Sequence, residues 1–267
     1  MRKIHKAWLI GAETCIGQAI VNQIDPRVIN MMPTDIDDID ILNIDEALAY
    51  SYLNQPDAII NCYDLNDANE CEMDPIKAYK INSLIPRNLA VCSRRIGARL
   101  VHISTDNVFG EERNVPYNEF DSPNPINIYG NSKLQGENYI RELSQKYFIV
   151  RTGYVYGEKN GIKINSSKFS RYISPTSSKE LASFIIKLMN TPEYGVYHAS
   201  STGYCSYETF IKKFSELSGA TINSIENSMD SELIKNIQLD QFMLKLSDLY
   251  KFPSWETDLE QFCKTIK

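Results

Sequence analysis

A chain of 267 residues is long enough to bury a core as one medium α/β domain or as a domain with a smaller lobe. Its 43% hydrophobic and 23% charged residues are the ordinary balance of a soluble globular protein. A net charge of -6 argues against a nucleic-acid partner, which would meet a basic stripe, and no apolar run approaches the roughly 20 residues that span a bilayer.

The amino terminus, MRKIHKAWLIGAE, has basic residues and a short apolar run. Glu13 closes that run too early for a signal peptide, so a first strand is expected there. AWLI, RVINMM, DAIINCY, ARLVHIS and YFIVRT read as strands. QAIVNQI, IDEALAYSYL, PIKAYKINSLIPRNLAVCSRR and SKLQGENYIRELSQ lie between them with helical spacing. Short, fully apolar strands separated by helices predict a doubly wound α/β fold with a parallel sheet. Its ligand crevice would lie at the carboxyl ends of the strands.

Residues 158–173 are polar and read as a connection. LASFIIKLM then reads as a helix, YGVYHAS as a strand, and SYETFIKKFSELSG as a helix closed by a glycine. A last short helix is expected after Pro253. The expected organisation is a Rossmann-like dinucleotide-binding domain over 1–157 and a smaller, shortened lobe over 158–267, with 180–200 returning to the first. The six cysteines, at 15, 62, 71, 92, 205 and 263, form no CxxC pair. Neither a metal site nor a disulfide framework is expected, and a reducing cytoplasm suits them.

Three short patterns carry chemistry. GAETCIG follows the first strand and opens a helix, where Gly11 would make a tight turn and Gly17 would let helix and strand approach. Tyr129 and Lys133 are four residues apart, which puts phenol and ammonium on one helical face. A neighbouring cation is expected to lower the phenol's pKa and make it a proton donor to a carbonyl. ARLVHISTDNVFG ends a strand in Ser104, Thr105 and Asp106, hydroxyls that could polarise a substrate carbonyl or simply cap a turn. His5, His102, His198, Tyr156 and Trp255 read as structural, and Glu119 is given no catalytic role.

With these patterns in order, the chain resembles the extended short-chain dehydrogenase/reductases, and within them the dTDP-4-dehydrorhamnose reductase family. PDAIIN, INSLIPRNLA, GARLVHISTDNVF, PYNEFDSPNPINIYGNSKLQGE and RTGYVYGE carry the likeness. SPTSSKELA, GVYHAS and IQLDQFMLKL continue it, followed by FPSWETDLEQF. The resemblance implies a Rossmann domain with a small sugar-nucleotide lobe. It also implies NAD(P)H-dependent reduction of a nucleotide-linked 4-keto sugar in deoxysugar or polysaccharide synthesis. Tyr129 would give the proton, Lys133 would tune it and hold the nicotinamide ribose, and Thr105 would orient the keto group. Gly11, Thr14, Cys15, Ile16 and Gly17 would surround the diphosphate, Cys62 and Tyr63 would lie beside it, and Asp40 and Ile41 near the adenine. A nucleotide-sugar substrate, a cytoplasmic location and a homodimer fit this class, with no membrane or nucleic-acid partner.

Three departures touch ligand binding. Thr14 stands where the family has glycine, and its branched side chain could crowd the diphosphate, strain the backbone or donate to a phosphate. Cys62-Tyr63-Asp64-Leu65 replaces a run of small residues, and Asp64 would bring negative charge inward unless it turns away. The link after Gly157 is short, though Lys159, Lys163, Lys168 and Arg171 could attract phosphate. Together these leave a competing reading, a non-catalytic binding or regulatory relative similar to the regulatory subunit of methionine adenosyltransferase. Between Arg27 and Lys77 there is no Lys or Arg, so a 2′-phosphate finds no local cation and NAD is favoured over NADP.

Overall fold

Alternation along the first strand sets the architecture. In β1 (Lys6–Ile10), Ala7 and Leu9 enter one core and Trp8 and Ile10 the other, all 0% exposed. A strand buried on both faces needs helices on both faces. A computed structural model describes residues 3–110, 113, 115–157, 172–219 and 237–265, and it has that arrangement.

The chain runs through α1 (Cys15–Gln23), β2 (Asn30–Thr34), α2 (Ile44–Asn54) and β3 (Ala58–Asn61). Two short helices follow, α3 (Ala68–Met73) and α4 (Pro75–Tyr79), then a π-helical turn at Lys80–Leu84 and α5 (Ile85–Ile96). Next come β4 (Arg99–Thr105), α6 (Ile128–Leu143), β5 (Tyr147–Thr152), β6 (Val155–Tyr156), β7 (Tyr172–Ile173) and β8 (Thr176–Ser177). The remainder is α7 (Ser178–Leu188), β9 (Gly195–His198), β10 (Cys205–Ser206), α8 (Tyr207–Ser218), α9 (Phe242–Ser247) and α10 (Trp255–Thr265).

The main sheet has the order β2-β1-β3-β4-β5-β9, and every pairing in it is parallel. α1 and α7 pack together on one face, and α2, α5 and α6 cover the other. Pro33 is tolerated because β2 is an edge strand, where a missing N–H breaks no ladder. The chain leaves β1 toward β2 and returns to β3 on β1's other side, so the switch point lies between β1 and β3. No helix among the described residues is long and apolar enough to cross a membrane.

The long helix expected from PIKAYKINSLIPRNLAVCSRR is divided. Pro86 has no N–H to offer the carbonyl of Asn82, and the π turn falls at this place. That carbonyl packs on Gly136 of α6, where an added Cβ would sit 2.3 Å from it. A helix-to-helix approach this close needs glycine.

Tyr156, Tyr207, Phe210, Trp255, Leu259 and Phe262 form a separate apolar cluster at the carboxyl-terminal end. Asp258 of α10 is 3% exposed and accepts from Ser177 N and Ser177 Oγ, both at 2.6 Å, and from Ser201 Oγ at 2.9 Å. Three donors satisfy the buried carboxylate and pin α10 to the start of α7. Of the polar connection expected over 158–173, residues 158–171, with Lys159, Lys163, Lys168 and Arg171, lie outside the described residues, and Tyr172–Ile173 form β7.

Candidate functional site

The turn after β1 is built on its two glycines. Gly11 has φ +78°, and a Cβ there would meet Tyr63 N at 2.7 Å. A Cβ on Gly17 would lie 2.2 Å from Gly11 O, so α1 seats directly on the turn. Thr14 corrects one of the expectations placed on it. Its backbone is extended, φ -70° and ψ 159°, which any residue adopts, so it is not strained. It is the N-cap of α1: its hydroxyl donates to Gly11 O at 2.8 Å and accepts from Gly17 N at 3.0 Å. Donation to a phosphate, the role suggested by the sequence, would require this hydroxyl to turn from Gly11 O. Thr14→Ala is expected to cost about 1 kcal/mol of stability through loss of this cap, read by urea denaturation; an unchanged midpoint would refute the capping role.

A crevice of 520 Å³ opens at the switch point. Thr14, Cys15 and Ile16 line it from the turn, Cys62, Tyr63 and Asp64 from the end of β3, and Thr105 and Tyr129 from β4 and α6. Tyr154, Ile173 and Tyr207 close the far side. Asp40 and Ile41 are not among its lining residues. Ile41 is 0% exposed in the core with Trp8 and Ala47, and Asp40 Oδ1 accepts from Leu42 N at 3.0 Å in a local turn. The side chain of Ile41, expected near the adenine, is thus enclosed by the core and does not line the crevice.

Tyr129 and Lys133 do meet on one face of α6, but a carboxylate stands with them. Tyr129 Oη donates to Asp64 Oδ2 at 3.2 Å, and Lys133 Nζ lies 3.5 Å from the same oxygen while donating to Ile103 O at 2.7 Å. Asp64 thus faces inward. Burial, then the Asp64 charge, pushes the phenol well above its ordinary pKa, and the Thr105 hydroxyl opposes this only in part. The lowering expected from Lys133 is overturned because burial of the phenol, and then the Asp64 carboxylate beside it, both disfavour the phenolate. Thr105 Oγ1 accepts from Asn107 N and Asn107 Nδ2, both at 3.1 Å, and lies 3.2 Å from Asp106 Oδ1.

Two supporting groups escaped the sequence reading. Asn82 holds Leu65 through both its backbone groups, accepting from N at 2.9 Å and donating to O at 3.0 Å. Its amide also reaches Ser132 Oγ on α6 at 3.0 Å, so the segment bearing Asp64 is tied to the helix bearing Tyr129. Glu137 is 0% exposed and accepts from Ser104 Oγ at 2.6 Å, fixing the end of β4 next to Thr105. A polar residue inside the apolar INSLIPRNLA stretch was the available signal for Asn82. Glu137, four residues after Lys133, shares its helical face.

The profile of the RmlD substrate binding domain family matches residues 5–267. The spore coat polysaccharide biosynthesis protein SpsK of Bacillus subtilis is 38% identical over 62% of this chain and 62% of its own length. The dTDP-4-dehydrorhamnose reductase of Mycolicibacterium smegmatis is 28% identical over 74% of this chain and 64% of its own, so these matches span just under two thirds of either relative. Among solved structures, the dTDP-4-dehydrorhamnose reductase of Bacillus anthracis in complex with NADP is 34% identical with a TM-score of 0.90, covering 99% of both chains. That from Clostridium acetobutylicum is 30% identical with a TM-score of 0.88, over 98% of this chain and 99% of its own. Fold, turn and site order thus agree with a match along nearly the whole chain, which belongs to the RmlD substrate binding domain family, that of the dTDP-4-dehydrorhamnose reductases.

Proposed function

We propose that this chain reduces a nucleotide-linked 4-keto sugar with a nicotinamide dinucleotide, in deoxysugar or polysaccharide synthesis. The observation that carries this is the open crevice at the switch point, lined together by Tyr129, Thr105 and the turn residues Thr14, Cys15 and Ile16, with the buried Lys133 ammonium 3.5 Å from Asp64 of the same crevice. The turn from Gly11 to Gly17 would hold the diphosphate at the start of α1, and Lys133 the nicotinamide ribose. The bound cofactor would supply the hydride. Tyr129 turns its O–H from Asp64 to the substrate carbonyl oxygen and donates the proton, and the phenolate then recovers one from solvent. Thr105 stands beside the phenol to orient the keto group.

NAD is the better fit of the two cofactors. β2 runs into Asp35, Asp37, Asp38 and Asp40, and Asp35 Oδ1 accepts from Glu13 N at 3.1 Å, which holds this acid against the turn. A carboxylate there suits a ribose diol and repels a 2′-phosphate. The non-catalytic alternative drew on Thr14, on residues 62–65 and on the short link; the threonine is relaxed and the crevice is open, Asp64 does face inward, and residues 158–171 of the link lie outside the described residues. A net charge of -6 and six cysteines outside any disulfide support a cytoplasmic setting without nucleic acid. NADH is expected to bind more tightly than NADPH and to be consumed when dTDP-4-keto-6-deoxy sugar is added. The reverse order of affinities would overturn the cofactor choice; no turnover with either would overturn the reaction.

A further inference from the structure

We infer that Asp64 is a specificity-determining residue that sets the balance between oxidised and reduced cofactor, by offsetting the Lys133 charge beside the nicotinamide. The inference rests on the dinucleotide reading above and assigns a role to a carboxylate that the proton transfer does not use. Three observations support it. Asp64 lines the crevice and is 20% exposed, so it faces the cavity from a low-dielectric wall. It shares one oxygen between Tyr129 at 3.2 Å and Lys133 at 3.5 Å. The Asn82 tie between Leu65 and Ser132 holds its segment in place.

The chemistry fixes the rest. A phenol that protonates a carbonyl must hydrogen-bond its oxygen, and hydride transfer needs donor and acceptor carbons about 3–3.5 Å apart. Any nicotinamide served by Tyr129 therefore lies within roughly 10 Å of Asp64. Oxidation of the cofactor by two electrons turns a neutral ring into a cation. With Asp64 present, the cation meets a neutral Lys–Asp pair; without it, the cation meets an uncompensated ammonium. At an effective dielectric of about 20, a unit charge at about 10 Å changes an affinity roughly tenfold. The diphosphate is common to NAD⁺ and NADH, so its attraction to Lys133 cancels in the ratio of the two dissociation constants. That ratio isolates the charge on the ring.

The test is calorimetric titration of the whole chain with NAD⁺ and with NADH, in the wild type, Asp64→Asn and Asp64→Ala. Both variants are expected to weaken NAD⁺ relative to NADH by roughly tenfold, because they remove the same charge and differ in shape. A ratio unchanged in either variant, or equal loss of both ligands, would overturn the role of Asp64. If the wild type binds neither form at millimolar concentration, the dinucleotide reading itself fails and the inference falls with it.

Discussion

Tyr129→Phe is expected to lower turnover by roughly 10²–10⁴-fold while leaving NADH affinity within about twofold. The ring is 8% exposed, and Phe preserves its packing while removing only the O–H that meets Asp64 Oδ2. The electrostatics add a second readout. Burial and Asp64 raise the phenol's pKa, so the proton donor stays protonated through neutral and mildly alkaline pH. A rate limited by this acid falls only above its pKa, which places any alkaline limb higher than for an unperturbed tyrosine near pH 10. A lowered phenol, as the Tyr–Lys spacing alone suggests, would put that limb below it. Turnover retained in the Phe variant would remove Tyr129 from the reaction, and an alkaline limb near neutrality would contradict the Asp64 contact.

The scaffold was legible because its signals are local. β1, β3, β4 and β5 each carry a short apolar stretch and are buried along nearly their whole length, as parallel strands covered on both faces require, and Gly219 ends α8 in the left-handed conformation expected of a closing glycine. Tyr129 and Lys133 share a face because helical spacing alone decides it. Features set by distant partners were not legible. Asp64 turns inward on a segment held at Leu65 by Asn82, which lies 17 residues beyond Leu65. α3 and the two-residue strands are too short for periodicity to show. Thr14 left strain open for another reason: the sequence does not show the backbone angle, and an N-cap sits in extended backbone and uses the hydroxyl. Ile41, read by resemblance as an adenine neighbour, is claimed by the core between Trp8 and Ala47.

The largest stability effect is expected behind the site, at Glu137. Its carboxylate is 0% exposed and accepts from Arg151 Nε at 2.9 Å, Arg151 Nη2 at 2.7 Å and Arg141 Nη2 at 2.6 Å, besides Ser104. Burial alone would raise its pKa, but Arg151, then Arg141 and Ser104, bring it down to about 2. Glu137→Ala would leave Arg151, itself 1% exposed and with Nη1 already lacking a partner among the described residues, as an unpaired buried cation. The expected cost is about 3–5 kcal/mol by urea denaturation at pH 7, whereas replacing Glu137 and Arg151 together by Met should recover much of it. The pH dependence follows from the sign of the shift. A carboxyl depressed on folding adds stability above its unfolded pKa, near 4.5, and that contribution fades as pH falls toward 2. The single variant should therefore lose less stability than the wild type between pH 5 and 3. Because Ser104 precedes Thr105 at the end of β4, the same substitution should also loosen the hydroxyl beside Tyr129 and depress turnover at temperatures where the variant is still folded. A loss below about 1 kcal/mol at pH 7, or an acid dependence equal to that of the wild type, would show that Arg151 finds another counterion and that the end of β4 is held by other contacts.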